Sequence, residues 1–243
     1  MGELRIIELK QSVFEANDRA ADELREELRH QGTFLLNVMS SPGAGKTTTL
    51  SRTIQALSDK LDIAVLEADI DSDVDARTIQ QTGVPCVQLH TGGMCHLDAG
   101  MTRQGLDALR EFIREQSITP HADERAIDGD ASDEMELIFL ENVGNLVCPA
   151  EFDTGASANI AILSVPEGDD KPLKYPLMFE VCDLVLVNKI DVLPYFDFSL
   201  ERLEQNVKLR NPEARIIPIC ATTGQGMDAW YDWLIDRVHA WRA

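Results

Sequence analysis

The chain has 243 residues with 42 Asp plus Glu against 22 Lys plus Arg, a formal charge of -20 that disfavours a nucleic-acid backbone as partner. At 44% hydrophobic and 26% charged it has the composition of a soluble globular protein with a sizeable core. No run approaches the roughly 18 to 20 apolar residues of a membrane span, and residues 1–12 mix acids and bases where a signal peptide is continuously apolar, so no membrane contact and a cytoplasmic location are expected.

Residues 12–30 place Val13, Phe14, Ala20, Ala21, Leu24 and Leu28 at helical spacing, which predicts a leading helix outside the main sheet. Apolar runs bounded by turn residues follow at 33–39, 62–67, 84–89, 136–140, 159–165, 183–188 and 214–219, and read as buried strands. Helical patterns lie between most of them, at about 46–59, 97–117, 199–210 and 226–241. Such alternation implies an α/β fold with a mostly parallel sheet flanked by helices. The stretch 122–136 breaks the pattern, with seven acids and one Arg, and reads either as a solvated insertion or as a metal-collecting tail. Five cysteines, at 86, 95, 148, 182 and 220, are odd in number and sparse, which favours reduced thiols or metal ligands over disulfides.

The first strand runs into Ser40-Ser41-Pro42-Gly43-Ala44-Gly45-Lys46-Thr47, the phosphate-loop pattern with Ser40 in place of its first Gly. Loop N–H groups from Gly43 to Gly45 and the helix start through Thr48 are suited to nucleotide phosphates. Lys46 reaches the β and γ phosphates, and the Thr47 hydroxyl suits Mg²⁺. Asn188-Lys189-Ile190-Asp191 follows the sixth strand and is identical to the guanine-reading tetrad of GTPases. A carboxylate at Asp191 accepts from the ring N–H and the exocyclic amine of guanine, an edge that adenine lacks. Taken alone, the tetrapeptide also suits a helix-entry turn. Cys220 to Gly224, with Ala221 at its centre, resembles the loop that backs the base, although Cys220 stands where Ser is common.

Five carboxylates crowd residues 67–75 without a base, so Asp69 or Asp75 is suited to complete a Mg²⁺ site begun by Thr47; a merely solvated acidic loop is the alternative. Glu141 ends the fourth strand beside the expected γ-phosphate and is assigned to metal or water positioning. Cys95-His96 sits before a helix, and Cys148 follows the Glu141 strand. Thiol and imidazole suit Ni²⁺ or Zn²⁺, while a lone Cys-His pair is also a common structural feature. Cys86 and Cys182 lie in apolar surroundings and read as small buried hydrophobes.

The phosphate loop, Gly92 to Ala99 with CHLDA, the ENVGNLVCP block at 141–149 and NKID, in this order, resemble the nickel-incorporation GTPases of hydrogenase maturation, the HypB family. The likeness covers nearly all of residues 10–241. It implies a P-loop NTPase fold of the SIMIBI class, with an N-terminal helix at 1–31 and a GTPase domain at 32–243 that carries the acidic insertion. It also implies GTP hydrolysis with Mg²⁺, nickel or zinc at Cys95, His96 and Cys148, and a homodimer promoted by GTP. Lys174, beyond Glu167 to Asp170, would reach guanine across that dimer. Partners implied are a second maturation chaperone and the hydrogenase large subunit. Residues 1–40 hold no Cys and only His30, so the tight N-terminal nickel site of many members is not expected. A metal store without turnover, a GTPase serving urease or a cobalamin enzyme, and a small-molecule phosphotransferase are the competing readings.

Overall fold

The computed structural model describes residues 9–69, 74–116 and 135–243. All seven apolar runs form strands: β1 (Phe34–Ser40), β2 (Ile63–Asp69), β3 (Cys86–His90), β4 (Leu137–Glu141), β5 (Ala158–Ser164), β6 (Leu184–Asn188) and β7 (Arg215–Pro218). They make one sheet in the order β3-β2-β4-β1-β5-β6-β7. Every neighbouring pair is parallel, a stricter result than the mostly parallel sheet expected. β1 lies between β4 and β5: on one side β4 is inserted between β1 and the earlier β2 and β3, and on the other the chain runs outward through β5, β6 and β7. In open α/β sheets the crevice beyond the strand C-termini at such a reversal is where ligands bind.

Nine helices are described: α1 (Leu9–Gln31), α2 (Lys46–Leu57), α3 (Val74–Gln80), α4 (Ala99–Glu115), α5 (Cys148–Glu151), α6 (Lys171–Lys174), α7 (Pro176–Glu180), α8 (Leu200–Lys208) and α9 (Met227–Arg242). The sequence pattern missed α3, α5, α6 and α7, because none is long enough to display a 3.6-residue period. α6 and α7 instead open on proline, whose fixed φ suits a first helical turn. α4 starts two residues later than expected. Asp98 caps it, its carboxylate accepting from Met101 N at 2.7 Å, and this leaves Cys95 and His96 in the turn before the helix.

Strand side chains alternate between the two faces. On one face Phe34, Leu36, Val38, Phe139, Ile160 and Leu186 meet Leu50 and Ile54 of α2 and Trp230 and Leu234 of α9. On the other, Leu35, Leu66, Ile138 and Leu140 meet Leu24 and Leu28 of α1 and Leu106, Leu109 and Ile113 of α4, while Met39, Leu163 and Val187 pack with Met178, Phe179 and Leu203. α1 is thus outside the sheet but built into its core. Glu27 of α1 also pairs with Arg103 at 2.5 Å and Arg110 at 3.4 Å of α4. Each fully buried Leu or Phe contributes about 1.5–3 kcal/mol, so these contacts outweigh the partly exposed ion pairs in holding α1. Of the acidic stretch, residues 122–134 lie outside the described part. Met135 is buried and Glu136 pairs with Arg242 of α9, so its end belongs to the fold.

Candidate functional site

β1 ends at Ser40, and the loop turns through Gly43 (φ 77°) and Gly45 (φ 98°) into α2. Gly45 has no substitute here: a Cβ would stand 2.4 Å from Asn188 Nδ2, and the positive φ disfavours any L side chain. Beyond the loop opens a cleft of about 540 Å³ lined by Gly43, Lys46, Thr47, Thr48, Gly144 and Lys189, among others. At its floor the Lys46 ammonium lies 3.8 Å from Glu141 Oε1, and the Thr47 hydroxyl donates to the same oxygen at 3.3 Å. The Glu141 side chain is only 2% exposed and that of Lys46 12%, so this charge pair is held largely out of water. Hydroxyl and carboxylate together are the all-oxygen donor set that Mg²⁺ takes. The side chains of Asp69 and Asp75, the other expected ligands, fall outside the described part of the structure.

Glu141 owes its position to the sheet and to a buried amide chain. It is in register with Val38 of β1, and the next residue, Asn142, donates to Asn37 at 3.1 Å, which donates to Asn159 at 2.9 Å. A further carboxylate, Glu167, grips the loop from β5: it accepts from Ser41 Oγ with one oxygen, and from Ser164 N and Oγ at 2.7 Å with the other. No spacing in the sequence announces this contact, which joins residues 126 positions apart.

The Asn188–Asp191 tetrad is stitched to the phosphate loop. Asn188 donates to Ala44 O at 2.9 Å and accepts from Lys189 N at 2.8 Å and Ala221 N at 3.1 Å. Lys189, at φ 62°, donates from Nζ to Gly43 O at 2.7 Å. Asp191 is exposed and accepts from the buried Cys220 thiol at 3.1 Å, so Cys220 takes the role a serine hydroxyl would have. The structure therefore brings Asn188, Lys189, Asp191 and Ala221 together with residues 43–48. Lys174 is elsewhere on the surface, paired with Asp170 at 2.6 Å.

Cys95 and Cys148, 53 residues apart in sequence, meet beside one another. The hydrogen-bonded Cys95 thiol pushes the Cys148 thiol above the ordinary cysteine range, and burial adds to the shift. Asn145 Nδ2 also donates to Cys148 Sγ at 3.6 Å. His96 does not join them. Its ring stacks on Phe152, centroids 3.9 Å apart and planes within 7°, and its Nδ1 is buried with no hydrogen-bond partner among the described residues. Among those residues no three His, Cys, Asp or Glu groups are close enough together to hold a metal ion. Cys86 and Cys182 stay out of the chemistry. Burial, with Glu67 and Glu141, pushes the Cys86 thiol up to about 12, and burial raises the enclosed Cys182 as well.

Residues of α1 hold both thiol segments, a role no local pattern announced. Asn17 accepts from Ala99 N, at the start of α4, and donates to Asp153 O. Arg25 forms a fork onto both Asp153 oxygens at 2.7 and 2.6 Å and donates to Ala156 O at 2.9 Å. Phe14 continues the ring stack, 5.0 Å from Phe152.

A sequence profile for the CobW/HypB/UreG nucleotide-binding domain matches residues 34–218. The hydrogenase maturation factor HypB of Azotobacter chroococcum mcd 1 is 42% identical over 234 residues, which is 96% of this chain and 70% of that protein. Among solved structures, HypB from Helicobacter pylori in complex with nickel superposes with a TM-score of 0.79 at 33% identity, covering 93% of this chain and 96% of that one. The hydrogenase maturation factor HypB from Archaeoglobus fulgidus gives 0.75 at 32%, covering 92% and 98%. With the phosphate loop, the base-reading motif and the paired thiols in one molecule, this chain belongs to the CobW/HypB/UreG family, among the HypB hydrogenase maturation factors.

Proposed function

We propose that the protein is a GTP-hydrolysing metallochaperone that carries nickel, or zinc, at Cys95, His96 and Cys148 and assists nickel insertion into a [NiFe]-hydrogenase. The observation that carries this reading is the segment 141–148, which begins at the phosphate cleft with Glu141 and ends at the thiol pair with Cys148. The names of the relatives, hydrogenase maturation factors with one structure holding nickel, agree with it.

In the cleft, a water oxygen attacks the γ-phosphorus and the bond to the β–γ bridging oxygen breaks, giving GDP and phosphate. Lys46 and the N–H groups of residues 43–47 offset the charge on the transferred group, and Glu141 orients the water. Thr47 and Glu141 would hold Mg²⁺, which when bound neutralises phosphate charge. Asp191 accepts from the two guanine N–H donors, and Asn188 and Lys189 keep that reader at a fixed distance from the phosphate loop.

Thiolates and imidazole suit the metal cargo. Within one chain His96 must leave Phe152 to complete such a set. Met94 and Val147, 44% and 49% exposed beside the thiols, leave this face open to a second copy. A homodimer promoted by GTP, a partner maturation chaperone and the hydrogenase large subunit complete the proposal.

Titrating the protein with Ni²⁺, with and without a non-hydrolysable GTP analogue and Mg²⁺, tests it through thiolate-to-metal absorption. A stoichiometric signal that Cys95→Ala abolishes and nucleotide shifts is expected. Absence of any Cys95-dependent signal in both conditions refutes the metal assignment.

A further inference from the structure

The loop Cys220 to Gly226 lies beside the proposed base-reading site and is partly self-bonded: Cys220 N donates to Gln225 O at 2.8 Å, and Gly224 N to Cys220 O at 2.8 Å. Its first residue is tied to Asp191 by the Cys220 thiol at 3.1 Å, and two further side chains hold its backbone. One is Asn188, which accepts from Ala221 N and belongs to the motif already described. The other is Arg52, two turns into α2, the helix whose first residues are Lys46 and Thr47. Its Nη1 donates to Ala221 O and to Thr222 O, both at 2.9 Å. The loop is shaped around it: Gly224, at φ +91°, passes so close that a Cβ there would stand 2.8 Å from Arg52 Nη2.

We propose that Arg52 is a positioning residue for guanine recognition, holding the Ala221 loop at a fixed distance from the phosphate helix so that base and phosphates are read in one rigid frame. This rests on the guanine reading above and extends it to a residue outside both nucleotide motifs. Arg52 acts on the two carbonyls, and through them on the backbone of Ala221 and on Asn188. Both bonds leave one guanidinium nitrogen, whose two N–H directions are fixed in the plane of the group; an ammonium on a flexible stem carries the charge without that fixed plane.

The test compares wild type, Arg52→Ala and Arg52→Lys by calorimetric titration with GDP and with ADP, and by thermal unfolding without nucleotide. Loss of charge-assisted bonds to partly exposed carbonyls predicts a GDP affinity about tenfold lower in Arg52→Ala, with weak ADP binding unchanged. The guanine-to-adenine preference therefore narrows by the same factor. Arg52→Lys recovers part of it, and the unfolding midpoints of all three stay together. A preference retained in Arg52→Ala overturns the proposal, as does an equal fall for both nucleotides accompanied by a lowered midpoint, since that marks a purely structural role. Should Arg52→Ala not fold, Arg52→Lys alone decides: full wild-type preference and affinity overturn the role, and a narrowed preference supports it. A wild-type protein indifferent to the base is a separate result, which removes the guanine reading and this proposal together.

Discussion

Replacing Gly45 by alanine probes the joint between the phosphate loop and the base reader. Two costs are separable. Holding alanine at φ 98° costs about 1–2 kcal/mol, the ordinary cost of a left-handed backbone for a residue with a Cβ. The new Cβ, 2.4 Å from Asn188 Nδ2, also expels that side chain from its bond to Ala44 O, and a buried amide left without its acceptor costs about 1–3 kcal/mol more. The sum is about 2–5 kcal/mol. Gly43→Ala is the control, because its φ of 77° incurs the first cost while no atom lies within 4 Å of its Cβ. Urea denaturation of the nucleotide-free proteins measures both, and GDP titration shows how much reaches binding. Gly45→Ala should be less stable than Gly43→Ala by about 1–3 kcal/mol, and bind GDP at least tenfold more weakly than that control. Equal stability and equal GDP affinity in the two variants would show that Asn188 does not read the loop through Gly45.

Three further outcomes follow from the same geometry. Glu141→Gln keeps the shape of the cleft but removes the carboxylate beside Lys46 and Thr47; single-turnover phosphate release at saturating GTP and Mg²⁺ should fall about 100-fold or more, and near-normal release would exclude Glu141 from water positioning. Cys86, whose folded pKa of about 12 lies above the unfolded value near 8.5, favours the folded state below pH 8.5. That contribution is lost as pH rises toward 12, at up to about 1.4 kcal/mol per pH unit, so Cys86→Ala should flatten the alkaline fall of stability measured by denaturation between pH 8.5 and 10. Gly144 lies where a Cβ would be 3.4 Å from Pro42 and 3.7 Å from Lys46 Nζ; Gly144→Val should disturb the contact between the two segments, so that nucleotide no longer shifts Ni²⁺ affinity, and an unchanged shift would show that the signal takes another route.

The strands were legible because each is an apolar run bounded by turn residues; β1, β4 and β6 are buried throughout, while the edge strands β3 and β7 are only partly covered. Motifs that act through the local backbone were legible too: the phosphate loop and NKID each lie within one turn between elements. Cys95 and Cys148 came from resemblance to a family, since 53 residues separate them and no spacing rule joins them. What escaped acts at long range. Asn17 and Arg25 reach residues from 82 to 136 positions away, Glu167 reaches back 126 to Ser41, and Arg52 spans 169 to Ala221. Each is an ordinary polar residue on a helix or turn whose partner becomes visible only when the sheet closes. The short α3 escaped because the sequence around its start is dense in carboxylates, which reads as a solvated loop.

The two ends of the candidate site differ in how firmly they are held, and that difference decides which can answer the nucleotide. At the base end, Asn188 makes three hydrogen bonds of 2.8–3.1 Å, Lys189 one of 2.7 Å and Arg52 two of 2.9 Å, all onto backbone groups of loops anchored by the sheet. At about 1 kcal/mol each, displacing that frame as a unit would cost several kcal/mol. At the thiol end α1 anchors the flanks, at Ala99, Asp153 and Ala156, but the side chains between them are loosely held: Cys148 has a 3.6 Å contact from Asn145 and the neighbouring Cys95, His96 has a ring stack without a partner for Nδ1 among the described residues, and Val147 stands half exposed. Ring stacking is worth about 0.5–1.5 kcal/mol, and an N–H···S contact this long adds little. Lys46 and Glu141 connect the two ends. Phosphate entering the cleft would give Lys46 a new partner in place of Glu141, and residues 141–148 are the covalent route by which that change would reach the thiols. We therefore expect any γ-phosphate-dependent movement at the cysteines rather than at the base, read as a change in Cys95 and Cys148 thiol reactivity between the GDP and GTP-analogue states; equal reactivity in both states would refute it.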